Sequence, residues 1–277
     1  MILSTCGEKT PDTENPFLST YDAKLDALVI PNPSELDNTL WNDEQKLLVP
    51  TINLQVAYQM IQPWVTNKEH VLVVGPEACG KSLLVEHCLR QIRSTRVVIF
   101  NCTASTTPQD VLHKLLQNSI IVSSSNGQML VPREATLLIL YMKDLNIVVP
   151  DKWGTCQLTA FLEQIINYKG CYDNNCEWLI MENIQLVCTL NLDHSQGRFQ
   201  LSPRFISLLR VAAIEEPLLK ELEMLTSSYL SASLKQEKAL VAKPMLQKMT
   251  SFMVVFNEEM KRNLVPANNF QILFTTR

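Results

Sequence analysis

A short segment near the first third of the chain combines two glycines, a lysine and a serine at the spacing of a phosphate-binding loop. It runs Gly-Pro-Glu-Ala-Cys-Gly-Lys-Ser and matches the pattern GxxxxGK(S/T) in full. In such a loop the glycines let backbone N–H groups face phosphate oxygens, the lysine reaches the β- and γ-phosphates and the serine ligates Mg²⁺. The predicted nucleotide-binding residues are Gly75, Pro76, Glu77, Ala78, Cys79, Gly80, Lys81 and Ser82, with Ser82 also as a Mg²⁺ ligand.

The surroundings of this loop favour nucleotide binding over a chance match in a tight turn. An apolar strand is predicted directly before it at 71–74, and a helix is predicted directly after it at 83–92. The N-terminus of that helix adds a partial positive charge that favours bound phosphate. We therefore expect ATP or ADP as the cofactor, with Mg²⁺ as a second candidate.

The acidic partner that a hydrolysing P-loop enzyme needs is altered in this chain. Such enzymes place an aspartate for Mg²⁺ at the end of a nearby apolar strand, followed by an acid that activates water. Here the strand that ends at Met142 is followed by Lys143 and Asp144. An ammonium group at the first position would oppose Mg²⁺ or replace part of its charge, so weak or absent hydrolysis is expected. Alternatively, Asp144 serves as the single acid and Mg²⁺ ligand.

Two further side chains, near later elements, are candidates for contact with phosphate. Asn191, after the fourth strand, is placed to orient a water or touch the γ-phosphate, as a sensor I residue does, or is an ordinary turn residue. Arg204 lies just before the fifth strand, where a guanidinium can face a neighbouring subunit's nucleotide, or form a surface ion pair. Arg198 is expected to be a loop charge.

The elements that must position these residues alternate between strand and helix, which predicts an α/β fold with a parallel sheet covered by helices on both faces. Residues 1–40 read as a linker or strap, 41–217 as the large α/β subdomain, and 218–277 as part of an all-helical small subdomain. The predicted strands are 71–74, 95–102, 135–142, 184–192 and 211–214, and the predicted helices are 43–66, 83–92, 108–120, 155–168, 202–209, 218–234 and 243–263. Helix starts are predicted from Pro50 in a first turn, from caps at Thr106–Thr107, and from Thr155.

Composition excludes several classes of protein. Hydrophobic residues make up 46% of the chain and charged residues 19%, which excludes global disorder. A net charge of −4 argues against nucleic-acid or anionic-membrane binding as the main function. The eight cysteines contain no C-x-x-C pair, so reduced thiols are expected rather than a metal site or disulfides. Neither a membrane-spanning apolar run nor a secretory leader is predicted.

Four stretches together resemble a known family, and the middle part, from the strand and KDLN to YDN and EW, is far more specific to it than a P-loop is. They are VLVVGPEACGKS (71–82), LILYMKDLNIVVPDKWGTCQLTAFLEQII (138–166), YKGCYDNNCEWLIMENIQLV (168–187) and GRFQLSPRF (197–205). From about residue 40 onward the chain resembles the third AAA+ module of dynein heavy chains, most of all those of the cytoplasmic dynein 2 type. The resemblance implies a P-loop AAA+ fold in which Lys81 and Ser82 are the Walker A residues. It also implies that Arg204 is an arginine finger for the preceding module and that Arg277 begins the sensor II region.

The same resemblance implies a setting for the chain. It implies a ring of modules within one heavy chain, with a regulatory nucleotide site in this module of a motor for retrograde intraflagellar transport. The implied partners are the neighbouring AAA+ modules, and, through the full-length chain, dynein light and intermediate chains and microtubules. The implied location is the cytoplasm, the cytoskeleton and the axoneme of the cilium. The chain stops at Arg277 without a closing element, so a fragment of a larger protein is expected.

Two alternatives to a weakly hydrolysing regulatory site remain open at this point. One is a competent ATPase module that uses Asp144. The other is a nucleotide-free packing module whose P-loop is a relic.

Overall fold

The structure is a computed structural model, and it describes residues 19–22, 27–29, 42–43, 46–47, 49–124, 127–173, 175–192, 197–236 and 243–264. Its strands are β1 Thr20–Asp22, β2 Ala27–Val29, β3 Asn42–Asp43, β4 Lys46–Leu47, β5 Val71–Gly75, β6 Thr95–Asn101, β7 Ser119–Ser124, β8 Gly127–Pro132, β9 Leu137–Lys143, β10 Gly170–Tyr172, β11 Trp178–Met181, β12 Ile184–Asn191 and β13 Arg210–Ala213. Its α-helices are α1 Ile52–Thr66, α2 Lys81–Arg90, α3 Pro108–Gln117, α4 Gln157–Tyr168, α5 Pro203–Ser207, α6 Leu219–Gln236 and α7 Lys243–Leu264, and a 3-10 turn covers Leu145–Ile147.

Internal contacts divide the chain into two compact units. The first holds Met60–Glu77 and Lys81–Ile214 and contains the central sheet. The second comprises the described residues of Met1–Gln59, Ala78–Gly80 and Glu215–Arg277. The predicted domain boundaries, with a large subdomain at 41–217, remain a prediction.

The first unit is built on five parallel strands in the order β13-β5-β12-β9-β6. These are the predicted strands, each within about two residues of its expected bounds, and the predicted α/β class is confirmed. Every residue from Leu137 to Met142 is buried, which requires cover on both faces of β9. Helices α3, α4 and α5 contribute to the apolar core that packs around this strand, with Leu115, Leu162 and Phe205 as examples.

Helix boundaries follow local capping chemistry, with one correction. Thr107 caps α3 through a reciprocal pair of bonds with Asp110, as expected from the sequence. Ser202 caps α5 by accepting the N–H of Phe205 at 3.1 Å. The prediction that Thr155 caps α4 is wrong, because its hydroxyl donates to Asp151 at 2.7 Å. Helix α4 therefore begins at Gln157 after Cys156, which makes no side-chain cap.

A second sheet was not predicted. It has four strands in the order β10-β11-β8-β7, with the β8–β11 pair parallel and the others antiparallel. The helix predicted for 108–120 ends at Gln117, and after the cap residue Asn118 the six residues Ser119–Ser124 form β7. The run of Ile120, Ile121 and Val122 disfavours continuation of the helix, because β-branched side chains lose rotamer freedom there. These strands are short and partly exposed, so their sequence carries little of the alternation that identifies a half-buried strand.

The N-terminal helix starts later than predicted. Helix α1 begins at Ile52 rather than at 43, and Pro50 precedes the helix instead of lying in its first turn. Residues 42–43 and 46–47 instead pair as short antiparallel strands, and the expected linker at 1–40 contains the paired strands β1 and β2. The backbone N–H of Ile52 is bonded to the carboxylate of Glu221 at 2.9 Å. An acid at this position favours the helix start, since the first N–H groups of a helix have no partner within it.

The two C-terminal helices are confirmed. They were predicted at 218–234 and 243–263, and they pack against each other as α6 and α7 within the second unit. Over the stretches of chain that the structure describes, no helix is both long and apolar enough to cross a membrane.

The half-buried ring of His70 predicts that the stability of the fold depends on pH. Burial lowers the pKa of His70 from its usual 6.5, and its Nδ1 accepts the N–H of Leu186 at 3.0 Å. The unfolded chain binds a proton at this ring below about pH 6.5, whereas the folded chain resists protonation until lower pH. The free energy of unfolding should therefore be fully retained above about pH 6.5 and fall as the pH drops below it.

Urea unfolding measured between about pH 5 and pH 7.5 tests this expectation. In His70→Ala the free energy of unfolding should depend less on pH, because the ring that takes up a proton on unfolding is absent. His113→Ala, on the exposed part of α3, is the matched control and should keep the wild-type slope. An unchanged slope in His70→Ala would contradict the account.

Candidate functional site

Parallel pairing brings the candidate residues to one edge of the central sheet. Gly75 at the end of β5 is aligned with Asn191 at the end of β12. Lys143 at the end of β9 is aligned with Asn101 of β6, and β12 pairs directly with β9. The strand that carries Asp144 is thus not the immediate neighbour of the P-loop strand, because β12 lies between them.

The P-loop has the backbone that phosphate binding requires. It joins β5 to α2, which begins at Lys81, two residues earlier than predicted. Gly80 has a φ of +93°, a conformation that L side chains rarely adopt, and Ala78 has a φ of +59°. The Lys81 side chain is buried, and its Nζ donates to the carbonyl oxygens of Gly75, at 2.9 Å, and Pro76. The ammonium group is therefore held against the carbonyls of its own loop.

Lys143 is bound to a carboxylate on the helix that follows the P-loop. Its Nζ lies 2.8 Å from Oε1 of Glu86, and the two side chains are only 23% and 14% exposed. The same ammonium group lies 5.3 Å from the ring centroid of Tyr141, two residues earlier on the strand. The positive charge that replaces the expected acid is therefore balanced by Glu86, a residue that the sequence analysis did not single out.

Asp144 is held by groups from β12. Its backbone is left-handed, with φ 55° and ψ 52°, which turns the chain sharply after β9. Its Oδ1 accepts the side-chain amide of Asn191 at 2.8 Å, and its backbone N–H donates to the Thr189 hydroxyl at 3.2 Å. The predicted pair of Asp144 and Asn191 is thus in direct contact.

Arg198 lies in this site, so the prediction that it is a loop charge is wrong. Its guanidinium donates to Oε1 of Glu77 in the P-loop at 2.5 Å and to Oδ1 of Asn146 at 3.4 Å. A further nitrogen-to-oxygen distance of 3.8 Å separates it from Asp144. Its side chain is only 13% exposed. No chemical motif in the sequence marked it, because its partners are distant in sequence.

Asn146 is a buried residue whose hydrogen bonds link separate segments of the site, and the sequence analysis also missed it. Its side-chain amide donates to the backbone oxygen of Asn191 at 2.8 Å. Its own backbone oxygen accepts the N–H of Phe199 at 2.8 Å. Asn146 therefore ties the end of β12 and the segment that carries Arg198 to the turn after Asp144.

Tyr141 brings a buried hydroxyl close to the expected metal-binding serine. The ring is fully buried, and its hydroxyl makes no hydrogen bond of normal geometry within the part of the chain that the structure describes, although the Ser82 and Thr189 hydroxyls are its neighbours. Burial raises the pKa of Tyr141 to about 12, assisted by the negative charges of Glu86 and Asp144 and opposed by the two hydroxyls. The phenol is therefore neutral at physiological pH.

Arg204 does not join this cluster. Arg204, at the start of α5, is 78% exposed and its Nε lies 3.3 Å from Glu163. This is the surface ion pair that the sequence left open as an alternative, and a role as a finger in trans remains a prediction. Arg277 lies outside the described residues.

The chemistry of this edge fits an anionic phosphate ligand. Lys81 and Arg198 supply an ammonium and a guanidinium group, and the glycine-bearing loop supplies backbone donors. If Mg²⁺ is bound, Ser82 and Asp144 are the residues that would hold it. Within the described ranges, no group of three or more His, Cys, Asp and Glu side chains is placed to hold a metal ion.

The family model and the most similar curated relatives agree on one protein family. A family model described as the P-loop containing dynein motor region matches residues 42–217, well over half of the chain. Cytoplasmic dynein 2 heavy chain 1 of Mus musculus is 35% identical over 239 residues, covering 84% of this chain and 6% of that protein. The Tripneustes gratilla protein of that name is 35% identical over 80% of this chain and 5% of its own length. The Chlamydomonas reinhardtii protein of that name is 40% identical over 61% of this chain and 4% of its own.

Removal of the Tyr141 hydroxyl should not weaken the fold. Tyr141→Phe deletes a buried hydroxyl that makes no hydrogen bond of normal geometry to any described residue, so its loss removes a desolvation penalty rather than a well-formed bond. The free energy of unfolding should stay within about 0.5 kcal/mol of wild type or increase. Thr159→Val is the control, because that hydroxyl donates to the Cys156 carbonyl at 2.9 Å and its loss should cost about 1 kcal/mol.

Urea unfolding curves of the two variants give the comparison. A loss above about 1 kcal/mol in Tyr141→Phe would show that the hydroxyl is bonded in the folded chain.

Proposed function

Because the chain belongs to the family of P-loop-containing dynein motor regions, we propose that it is a nucleotide-binding AAA+ module of a dynein-type heavy chain. In this proposal the module is a regulatory ATP or ADP site that hydrolyses ATP weakly or not at all. The observation that carries the proposal is the ion pair between Lys143 and Glu86 at the end of β9.

The Lys143–Glu86 pair argues against tight Mg²⁺ binding. A cation in place of the expected aspartate removes the strongest oxygen ligand and repels a divalent ion. Glu86 does not compensate, because its Oε1 is already committed to the ammonium at 2.8 Å. Without a firmly held Mg²⁺, charge that develops on the transferring phosphoryl group loses its main stabilisation.

The environment of Asp144 supports the same proposal. A general base must be able to accept a proton from water, and an Mg²⁺ ligand needs accessible oxygens. One oxygen of Asp144 already accepts from Asn191 and faces Arg198 at 3.8 Å. That oxygen therefore already has a hydrogen-bond donor and a nearby guanidinium group as partners. Asp144 is therefore better suited to organise the edge of the sheet than to activate water.

Nucleotide binding itself is supported by the P-loop. Lys81 is already directed onto the loop, and α2 begins at that residue, so its unsatisfied N–H groups are at the loop. A site that binds nucleotide without rapid turnover keeps one ligand state for longer, which suits regulation of neighbouring modules.

The setting of the module is part of the same proposal. The relatives named above are cytoplasmic dynein 2 heavy chains, and this chain spans only about a twentieth of their length. We infer neighbouring AAA+ modules as direct partners, and light chains, intermediate chains and microtubules as partners of the full heavy chain. Retrograde intraflagellar transport, with a location in the cytoplasm, the cytoskeleton and the cilium, follows from this assignment.

A second candidate function is a competent ATPase that uses Asp144. The observation in its favour is the 2.8 Å bond between the Asn191 amide and Asp144, which brings an acid and a polarising amide together. If this candidate were right, the purified chain would turn over ATP and Asp144→Asn would abolish that turnover.

Nucleotide binding can be tested by calorimetry on the 277-residue chain. ATP and ADP should both bind the wild type, and Lys81→Ala should lose at least about tenfold in affinity, because an ammonium contact to phosphate is removed. Nucleotide at about 100 times its dissociation constant should raise the free energy of unfolding by about 2.7 kcal/mol. Lys114→Ala, an exposed lysine on α3, is the matched control and should bind normally. Absence of binding in the wild type would favour the nucleotide-free packing module.

Turnover gives a separate test of the Lys143 assignment. The wild type should hydrolyse ATP slowly or not at all in the presence of Mg²⁺. The double variant Lys143→Asp with Glu86→Gln restores an acid at the end of β9 and removes the like charge opposite it. It should turn ATP over at least about tenfold faster than the wild type, with the gain lost in EDTA. Rapid Mg²⁺-dependent turnover by the wild type would contradict the proposal.

A further inference from the structure

Arg198 has an unusual set of partners for a loop arginine. It bridges two carboxylates on opposite sides of the site: Glu77 in the P-loop and Asp144 after β9. Its third partner, Asn146, is buried and uncharged. The guanidinium thus lies between the phosphate-binding loop and the acid that the P-loop enzyme class uses near the terminal phosphate.

The segment that carries Arg198 is fixed rather than loose. The N–H of the next residue, Phe199, donates to the backbone of Asn146 at 2.8 Å, and Asn146 in turn bonds the end of β12. A guanidinium held in this way loses little conformational entropy when it binds a ligand, because its position is already set by the fold.

The ion pair between Arg198 and Glu77 is suited to being replaced by a contact between Arg198 and a bound ligand. A contribution to the stability of the fold alone explains the pair less well. Glu77 lies within the loop that would receive phosphates, so its negative charge opposes the ligand unless it is neutralised. Arg198 neutralises the charge of Glu77. Its planar guanidinium group, which pairs with a carboxylate, pairs equally well with two phosphate oxygens. The same side chain can therefore hold the loop in the absence of ligand and bind phosphate in its presence.

We propose that Arg198 recognises the terminal phosphate of ATP from within the same module, by exchanging its contacts with Glu77 and Asp144 for phosphate oxygens. Arg198 is thereby the residue that makes the site prefer a nucleoside triphosphate over a diphosphate. The inference rests on the proposed nucleotide-binding function and adds to it a residue that determines which nucleotide state is bound.

The test is the ratio of ADP to ATP dissociation constants, measured by calorimetry on the purified 277-residue chain with EDTA present in every titration. The wild type should bind ATP more tightly than ADP. Arg198→Ala should reduce this ratio by about tenfold and leave the affinity for ADP within about threefold of wild type. Arg198→Lys should retain only part of the wild-type ratio of dissociation constants, because an ammonium group cannot pair with two phosphate oxygens as the planar guanidinium does.

Arg210→Ala is the matched control. Arg210 also forms an ion pair, 2.7 Å from Glu69, but it begins β13 at the other end of the strands. Its removal should leave both dissociation constants unchanged within about twofold. Thermal unfolding of every variant shows whether it is folded before the titrations are compared.

Glu77→Gln provides a test that leaves Arg198 in place, in case Arg198→Ala does not fold. It removes the competing carboxylate, so the ATP affinity should increase by a few-fold, and more than the ADP affinity does. An equal change for both nucleotides, or weaker ATP binding, would contradict ligand exchange.

The outcomes separate this inference from the proposed function. A wild type that binds both nucleotides equally, or an Arg198→Ala variant that keeps the wild-type ratio, overturns the inference and leaves nucleotide binding intact. A wild type that binds neither nucleotide overturns both.

Discussion

Parallel pairing of β12 with both β5 and β9 decides where the candidate side chains at the ends of these strands lie. Because parallel strands end at the same edge, Gly75, Asn191 and Lys143 meet there although they are far apart in sequence. The left-handed turn at Asp144 and the 3-10 turn after it then direct the chain back across the ends of the strands. Without this register the P-loop would lack the side chains of Asn191, Lys143 and Asp144 beside it.

Charge balance at that edge follows from the register. Among the described residues, Lys143 pairs with Glu86, and Arg198 pairs with Glu77 and approaches Asp144. Each charge in these pairs thus has an opposite charge close by, which limits the cost of removing it from water. A phosphate ligand adds negative charge and must change these pairings. The pairings of Arg198 are the more easily exchanged, because one of its partners belongs to the binding loop itself.

The sequence predicts the central sheet well because its signals are local. Long apolar runs identify β5, β9 and β12, and GxxxxGK(S/T) identifies the loop regardless of tertiary contacts. Asp144 and Asn191 were also predictable, since both follow strands that must end at one edge. The second sheet was missed because its short, half-exposed strands lack a clear period.

The roles of Arg198 and Glu86 could not be predicted from the sequence, for a different reason. Glu86 lies on a helix surface where a solvent-exposed acid is the ordinary expectation, and only the register of β9 reveals that Lys143 faces it. Arg198 contacts Glu77 across 121 positions of sequence, a separation over which local patterns carry no information. Ion pairs of this kind depend on the whole fold, so a single sequence without the structure identifies neither partner.

The central claim is that the ammonium of Lys143, balanced by Glu86, stands where a hydrolysing module would hold its metal ion. Calorimetric titration of the wild-type chain with ATP, in Mg²⁺ and then in EDTA, tests it most directly. The account predicts dissociation constants that agree within about threefold, since the site gains little from the metal. A loss of at least about tenfold in EDTA would show that the site does hold Mg²⁺, with Asp144 as its ligand, and would contradict the account.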